Sequence, residues 1–405
     1  MTPEKKQCLH FATEEEIHQG KVTDVYFTRT REILKSLGVK KRVRVEITAG
    51  SFPRNWRWGI FAGLGEALSL LSGRKLDVWA MKEGSVFYPG EPVLVAEGDY
   101  LELGVYETSL LGLLCQASGV ATVSGRLRKA AGHRSVISFG ARRMHPVIAP
   151  MIEWYAYLGG CDGVAVVKSA ELLGVQPVGT MPHSLVLTLG SLEEALKAYD
   201  RVVDKGVPRI ALVDTFGDEK FEALKACETL GENLAAVRLD TPASRRGDFR
   251  KIIEEVRWEM DLRGYENVKI LVSGGIDEED VLHLNDIVDG YGIGTGISNA
   301  PVIDYSMDIV EVDGVPVAKK GKRSGAKTVY RCEENLHSEV LPQSRKHPPK
   351  CRCGGVMTTV LESVISGGRL AIELPGVDDI RNYVFNQLSK VSLERGQAET
   401  CTIRK

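Results

Sequence analysis

The sequence lacks a strong charge imbalance and a long apolar run. Its 405 residues include 52 basic and 54 acidic side chains, which gives a formal net charge of -2. This balance provides no argument for binding to nucleic acid or to a membrane surface. No apolar stretch approaches the length of a membrane span, and the amino-terminal MTPEKKQCLHFATEEE has no signal-peptide apolar region. We therefore expect a cytoplasmic protein with neither nucleic acid nor membrane as a partner.

The chain also lacks the cysteine pattern of a disulfide framework. Four of its 8 cysteines are scattered singly, which is typical of reduced, buried thiols. They are Cys8, Cys115, Cys161 and Cys227.

The other four cysteines crowd the carboxyl end. Cys332, Cys351 and Cys353 together predict a small structural zinc site, which would hold a zinc-ribbon-like appendage with little core of its own. The fourth ligand stays open, and His337 is included in the predicted set. The candidates are His337, His347 and Cys401. The alternative is that the site has been lost.

The secondary structure that the sequence predicts changes along the chain. In residues 1–115, the segment 14–38 predicts two short helices separated by a turn at Gly20, and VRVEITAG (43–50) predicts a strand. Residues 75–103 alternate apolar and polar side chains between turn signals, a pattern that predicts an antiparallel meander. One face of that sheet needs a cover, either a helix of this chain or a second subunit.

From about residue 116, helical stretches alternate with short strands. This alternation predicts a parallel sheet, either closed into a barrel or doubly wound, and seven strands favour the barrel. The predicted strands are 135–139, 163–167, 177–180, 209–214, 234–240, 268–273 and 291–294. The expected domains are an N-terminal α/β domain (1–115), an α/β barrel (116–305) and a C-terminal domain (306–405).

Polar or glycine-rich clusters follow most of these strands. At the carboxyl ends of parallel strands such clusters converge on one site, where cations, carboxylates and glycine turns suit a phosphorylated sugar. An aromatic ring beside guanidinium groups, as in SFGARRMHP, suits a flat ring that carries a carboxylate. The clusters are SFGARRMHP (138–146), GTMPHS (179–184), VDTFGD (213–218), RLDTPASRRG (238–247), VSGGID (272–277) and YGIGTGIS (291–298).

Together with TDVYF (23–27), these motifs closely resemble the nicotinate phosphoribosyltransferase family in its archaeal form, in the same order over nearly the whole chain. The resemblance implies an α/β sandwich followed by an irregular seven-stranded α/β barrel. It also implies the transfer of a phosphoribosyl group from phosphoribosyl pyrophosphate to nicotinate, which gives nicotinate mononucleotide and pyrophosphate in NAD salvage.

The same resemblance implies how nicotinate is held. Phe139 would stack on one face of the pyridine ring, and Tyr26 would reach the other face across a homodimer. Arg142 would bind the carboxylate, and Asp162 occupies the position at which relatives with an amide substrate hold the ring substituent.

The resemblance further assigns the phosphoribosyl end of the site. Arg238, Asp240 and Ser244 would bind phosphoribosyl pyrophosphate, and His183 matches a histidine transiently phosphorylated by ATP. Four glycines would cradle the 5-phosphate: Gly274, Gly275, Gly294 and Gly296. The reaction passes through an oxocarbenium-like state, for which Asp214 and Asp240 suit the cationic ribose or the Mg²⁺ that accompanies the leaving pyrophosphate.

Two alternatives stay open from the sequence. The same fold serves quinolinate or nicotinamide, although the double arginine after Phe139 favours a carboxylate. The protein could instead be a non-catalytic binding protein in which a barrel and a zinc ribbon form an interaction platform. His183, Arg238 and Asp240 argue against that second reading.

Related archaeal enzymes carry a second cysteine three residues after the first zinc ligand, and this chain has Asn335 there.

Overall fold

The structure, a computed structural model, describes residues 9–345, 347–396 and the backbone of 401–403. Its helices are α1 Glu14–His18, α2 Val25–Ser36, α3 Leu64–Leu71, α4 Tyr100–Leu103, α5 Glu107–Ala131, α6 Ala149–Gly159, α7 Val167–Leu173, α8 His183–Leu189, α9 Leu192–Val202, α10 Glu219–Leu230, α11 Ala243–Arg246, α12 Phe249–Asp261, α13 Glu278–Leu284, α14 Thr295–Ser298 and α15 Val377–Leu388.

Short strands alternate with these helices through the middle of the chain and cluster at its two ends. They are β1 Arg42–Ala49, β2 Gly59–Ile60, β3 Leu76–Ala80, β4 Val86–Phe87, β5 Pro92–Asp99, β6 Ser135–Ser138, β7 Gly163–Val164, β8 Arg209–Leu212, β9 Leu234–Leu239, β10 Lys269–Val272, β11 Gly290–Ile293, β12 Tyr305–Val312, β13 Val315–Pro316, β14 Lys327–Cys332, β15 Ser338–Pro342, β16 Met357–Thr359, β17 Glu362–Ser366, β18 Arg369–Leu370 and β19 Cys401–Ile403.

The chain divides into two compact units. One comprises residues up to Thr122 together with those from Pro301 onward, and the other comprises Val123–Ala300. The first unit contains a seven-stranded antiparallel sheet in the order β13-β12-β1-β5-β3-β17-β18. Strands from both ends of the chain therefore complete one sheet, whose central strands bury alternate side chains of Val43, Val45 and Ile47.

The predicted elements of the amino-terminal region are confirmed in outline. The two expected helices are α1 and α2, and Gly20 between them has a φ of 72°. The expected meander forms in part: β3 pairs antiparallel with β5, whereas β4 pairs with β2 in a separate two-stranded sheet. A four-stranded sheet in the order β16-β14-β15-β19 holds the carboxyl-terminal residues.

One helical stretch, residues 100–131, is long and apolar enough to cross a membrane by length and composition alone. Within it, 72% of the apolar window is buried inside the protein. Burial of this extent is typical of a core helix, since a membrane span would turn its apolar side chains toward lipid.

The second unit contains a parallel sheet of six strands in the order β7-β6-β11-β10-β9-β8. Six of the predicted strands form close to their expected positions, but the strand expected at 177–180 does not form. Pro177 has no N–H to donate, and this segment makes one backbone bond to the sheet, from the Val178 N–H to the Val164 carbonyl at 2.8 Å. Among the described residues the edge strands β7 and β8 are not paired with each other, so strand hydrogen bonds do not close the sheet.

Candidate active site

The end of β8 and the loops that follow the other five parallel strands line a cavity of about 1040 Å³. Most of the residues predicted from the sequence lie there together. These are Phe139, Arg142, His183, Arg238, Asp240, Ser244, Gly274, Gly275 and Gly294. Charged side chains and glycine turns are thus brought to one edge of the sheet by chain topology, since parallel strands all end on the same side.

Arg238 and Asp240 form the centre of a polar network. They are two residues apart at the end of β9, so their side chains lie on the same face, and Arg238 Nη2 is 3.1 Å from Asp240 Oδ1. Arg238 also donates to Thr180 Oγ1 at 2.7 Å and to Ser273 Oγ at 2.9 Å. Ser273 donates to Asp240 Oδ1 at 2.5 Å. This network fixes both side chains and leaves Asp240 Oδ2 facing His183.

His183 begins helix α8, with its ring between two loops. Its Nδ1 is hydrogen-bonded to Thr215 Oγ1 at 3.0 Å. Its Nε2 lies 3.6 Å from Asp240 Oδ2 and 3.8 Å from Asp214 Oδ1. These two distances exceed hydrogen-bond length, so the carboxylates act on the ring through their charge.

The buried Asp214 carboxyl has a raised pKa. Burial raises the pKa of Asp214 to about 6, while the nearby His183 opposes the rise and the Asp240 carboxylate adds to it. Its Oδ2 accepts the Asp240 N–H at 3.2 Å, but its buried Oδ1 has no hydrogen-bond partner among the described residues. A buried carboxylate oxygen left unsatisfied is suited to a cation or a hydroxyl group supplied by a ligand.

Two glycines shape the cavity wall. A Cβ at Gly292 would lie 2.3 Å from the Phe139 ring, so the bare glycine lets that ring lie against the sheet. Gly274 has a φ of 87°, and a Cβ there would lie 2.6 Å from the Asp240 carbonyl oxygen. Gly296, in contrast, packs toward the Ile276 carbonyl and is outside the residues that line the cavity.

Arg142 and Arg143 lie at the rim of the same cavity. They occupy a 3-10 turn, Ala141–Arg143, directly after β6, and both side chains are exposed. Within the described part of the chain neither guanidinium has an acidic partner. Unpaired guanidinium groups beside an aromatic ring provide donors in the planar geometry that a ligand carboxylate requires.

The predicted site residues Asp162 and Tyr26 are not among those that line the cavity. Asp162 precedes β7 and therefore lies at the amino ends of the strands, where it accepts hydrogen bonds from Arg128 and from the Val136 N–H. Tyr26 belongs to the other unit, in α2, where its side chain is 56% exposed and its ring contacts Phe27 at 4.3 Å.

Two buried glutamates that no sequence pattern marked hold loops at the carboxyl edge of the sheet. Glu222 in α10 accepts the N–H groups of Thr215, Phe216 and Gly217 at 2.9–3.0 Å. Glu153, which is 0% exposed, accepts those of Ala165 and Val166. The second contact also ends β7 early, because these N–H groups bond a carboxylate and not a strand. An acidic residue in a helix carries no local mark of such a role.

The carboxyl-terminal cysteines lie close together in the first unit. Cys353 Sγ is 3.2 Å from Cys351 Sγ and 3.5 Å from Cys332 Sγ, near the spacing of about 3.8 Å that thiolates adopt around zinc. A Cβ at Gly355 would lie 2.8 Å from Cys332 Sγ, so the glycine leaves room at the cluster. Asn335 contacts Cys351, whereas His337 pairs at 4.0 Å with Glu339 and is outside the cluster. The Cys401 side chain lies outside the described residues.

Family models and curated relatives both match this chain to phosphoribosyltransferases. Residues 24–118 match the family described as quinolinate phosphoribosyl transferase, N-terminal domain, and residues 120–308 match its C-terminal domain. A nicotinate phosphoribosyltransferase of Mycobacterium tuberculosis is 30% identical over 81% of this chain and 72% of its own. The Bacillus subtilis nicotinate phosphoribosyltransferase is 26% identical over 77% and 70% of the two chains.

Solved structures extend these similarities. A structure described as nicotinate-nucleotide pyrophosphorylase from Pyrococcus furiosus is 52% identical, with a TM-score of 0.94, over 96% of this chain and 100% of its own. Human nicotinic acid phosphoribosyltransferase has a TM-score of 0.73 over 95% of this chain and 98% of its own. At 22% identity, the human enzyme shows a shared fold only.

Proposed function

The chain belongs to the nicotinate phosphoribosyltransferase family and carries both quinolinate phosphoribosyl transferase domains, and from this premise we propose its reaction. The protein joins nicotinate to phosphoribosyl pyrophosphate and releases pyrophosphate. The pyridine nitrogen attacks the anomeric carbon of the ribose, the bond from that carbon to the pyrophosphate oxygen breaks, and nicotinate mononucleotide is formed. The product feeds NAD biosynthesis.

The observation that carries this proposal is that one cavity holds two sets of groups, each suited to a different part of the substrates. Two unpaired guanidinium groups lie at its rim beside Phe139, and the Arg238–Asp240–Ser273 network lies at its base with the glycine turns. The first group suits an aromatic carboxylate, and the second suits ribose hydroxyls and phosphates. No general base is needed, because the attacking pyridine nitrogen is already unprotonated near neutral pH.

The nicotinate end of the site uses Phe139 and Arg142. Phe139 stacks on the ring, Arg142 binds the carboxylate, and Tyr26 of the partner subunit covers the other ring face in a homodimer. The exposure of Tyr26 on α2 supports that last role. A contact between Asp162 and the ring substituent stays a prediction, which its bond to Arg128 does not favour.

The phosphoribosyl end uses the network already described. Arg238, Asp240 and Ser244 bind phosphoribosyl pyrophosphate, and its 5-phosphate is held by the glycine turns. Those glycines are Gly274, Gly275, Gly294 and Gly296. Asp214 and Asp240 face the developing positive charge on the ribose or the Mg²⁺ that travels with pyrophosphate, a role that the unsatisfied Asp214 Oδ1 supports.

His183 couples the reaction to ATP in this proposal. It receives the γ-phosphoryl group of ATP, and hydrolysis of the phosphohistidine favours product formation. Its position between Asp214 and Asp240 supports this role, because a phosphorylated ring there would act directly on the groups that face the ribose.

Three further features belong to the proposal. The thiol cluster of Cys332, Cys351 and Cys353 holds a structural Zn²⁺, supported by its sulfur spacing. The six-stranded sheet, with the segment 177–180 that bonds to β7, corresponds to an irregular seven-stranded barrel whose strands are not all joined by hydrogen bonds, and a zinc-ribbon-like appendage follows it. The protein acts in the cytoplasm as a homodimer or a larger homo-oligomer.

A second candidate substrate is quinolinate. It carries two carboxylates on the same ring, and both Arg142 and Arg143 are unpaired at the rim among the described residues. The family descriptions that match the chain also name quinolinate. A single unpaired arginine would have favoured nicotinate alone.

The test supplies nicotinate, quinolinate or nicotinamide in parallel with phosphoribosyl pyrophosphate and Mg²⁺, each with and without ATP, and measures the nucleotide formed. We expect product from nicotinate only, with a higher yield when ATP is present. Product from quinolinate with release of carbon dioxide would move the assignment to the second candidate. Product from none of the three would refute the enzyme assignment.

A further inference from the structure

Arg245 and Arg246 are adjacent in the sequence but differ completely in environment. Arg245 is exposed and has no acidic partner among the described residues, as expected for a solvated surface pair. The Arg246 side chain is only 8% exposed. Its Nη1 donates to the Gly274 carbonyl oxygen at 3.0 Å, and its guanidinium carbon lies 4.4 Å from the centre of the Phe249 ring. One of the two arginines is therefore part of the fold.

Arg246 connects three elements around the cavity. It ends α11, it binds the glycine turn after β10, and its Nη2 lies 3.8 Å from Asp280 in the first turn of α13. Asp280 in turn forms a capping box with Asp277 at the start of that helix. Ser244, Gly274 and Gly275 line the cavity, whereas Arg246 is not among its lining residues. Arg246 therefore holds the cavity wall from behind.

The bond to the Gly274 carbonyl has a directional consequence. The peptide between Gly274 and Gly275 is planar and trans, so its carbonyl and its N–H point in opposite directions. A carbonyl held by Arg246 on the outer side leaves the Gly275 N–H directed to the other side. No protein acceptor among the described residues receives that N–H, and Gly275 itself lines the cavity. Both glycines have positive φ values, 87° and 85°, which permit this turn.

We propose that Arg246 is a positioning residue for the phosphoribosyl substrate, because it fixes the peptide whose N–H donates to a phosphate oxygen. It makes no contact with the ligand itself. A freely rotating peptide would spend part of its time with its carbonyl toward the phosphate, and an oxygen facing an anion is repulsive. The inference rests on the proposed function, since it assumes a sugar phosphate at the glycine turn.

The test compares Arg246→Gln with the matched control Arg245→Gln, which removes an equal charge one residue away. For each variant we would measure kcat, the KM of phosphoribosyl pyrophosphate and the KM of nicotinate, with direct calorimetric binding of phosphoribosyl pyrophosphate and Mg²⁺. We expect Arg246→Gln to raise the KM and the dissociation constant of phosphoribosyl pyrophosphate roughly five- to tenfold, the factor that one lost hydrogen bond corresponds to. The KM of nicotinate and the Arg245→Gln values should stay near wild type.

Two further variants guard against a folding defect. Arg246→Lys keeps the charge but not the guanidinium fork, and we expect an intermediate rise in the same KM. Arg246→Ala should recover phosphoribosyl pyrophosphate affinity when guanidinium ion is added, whereas Arg245→Ala should not respond.

The outcomes separate the inference from the function. An Arg246→Lys enzyme with unchanged phosphoribosyl pyrophosphate binding, or equal changes in both KM values, would overturn the positioning role. Absence of phosphoribosyl pyrophosphate binding by the wild-type protein would instead overturn the proposed function.

Discussion

The two edges of the parallel sheet differ in how completely the protein satisfies their charged side chains. At the amino ends of the strands, Arg128 binds Asp162 and two backbone carbonyls, and Arg209 binds Asp200 and four backbone carbonyls. At the carboxyl ends, Arg142 has no acidic partner among the described residues. There the buried Asp214 also has an unsatisfied oxygen.

This contrast separates stability from function within one sheet. Groups that are satisfied by the protein contribute to folding, and groups left unsatisfied in a cavity are available to a ligand. A site that keeps charges of the same sign together, as with Asp214 and Asp240, does so at some cost in stability. Removing a charge should therefore have opposite consequences at the two edges.

The largest expected effect is at the carboxyl edge. Asp240→Asn removes the carboxylate that we propose faces the ribose, and we expect kcat to fall roughly a hundredfold to a thousandfold. Its free energy of unfolding should stay near that of the wild type, because the amide oxygen can still accept from Ser273 and the lost attraction to Arg238 is offset by relief of the repulsion from Asp214. Steady-state kinetics and urea unfolding measure the two quantities. A large loss of stability with nearly normal kcat would place Asp240 among the structural residues.

The corresponding change at the amino edge is Asp162→Ala. It leaves the buried Arg128 guanidinium and the Val136 N–H without their acceptor, so the free energy of unfolding should fall by about 2–3 kcal/mol. The KM of nicotinate should stay near the wild-type value. A raised KM with unchanged stability would instead support the contact with the ring substituent that the family resemblance implies.

Arg142 gives a smaller and more selective effect. Arg142→Ala removes an exposed charge, so stability should change little, but nicotinate binding should weaken by roughly 1.5–3 kcal/mol for a lost charged hydrogen bond. Phosphoribosyl pyrophosphate binding should be unaffected, and the matched control is Arg245→Ala, which removes an exposed charge outside the cavity lining. Equal weakening of both ligands would contradict the carboxylate role of Arg142.

The smallest effect concerns pH. Because the pKa of Asp214 rises from 3.8 to about 6 on folding, the folded protein binds more protons than the unfolded chain in this range. The stability that this proton binding provides is complete below pH 3.8 and is lost as pH rises to about 6. Asp214→Asn should remove this loss, by roughly 1–2 kcal/mol, in urea unfolding at several pH values. Parallel pH profiles for the two proteins would refute the raised pKa.

Local sequence patterns were sufficient to predict where the strands and the site loops lie along the chain. They were insufficient to predict which loops contact each other. Strand–helix alternation placed six parallel strands, and the spacing of Arg238 and Asp240 put both on one face of β9. The strand predicted at 177–180 does not form, because the apolar pattern takes no account of the missing N–H of Pro177. The approach of His183 to Asp214 depends on folding, and no local pattern encodes it.

The same limit applies to the residues that were missed. Glu222 resembles an ordinary acidic residue in a helix, and Arg246 resembles its exposed neighbour Arg245; each gains its role from a distant backbone segment. The first unit illustrates this on a larger scale. Strands β12 and β17 complete the sheet of β1, but long-range strand pairing leaves no mark in either segment alone.

The most direct test measures Asp240→Asn and Asp162→Ala side by side, for nicotinate mononucleotide formation and for free energy of unfolding in the same buffer. The contrast between the two edges predicts a crossed result: Asp240→Asn is stable and nearly inactive, and Asp162→Ala is active and destabilised. Loss of activity without loss of stability in Asp162→Ala, or the reverse in Asp240→Asn, would contradict it.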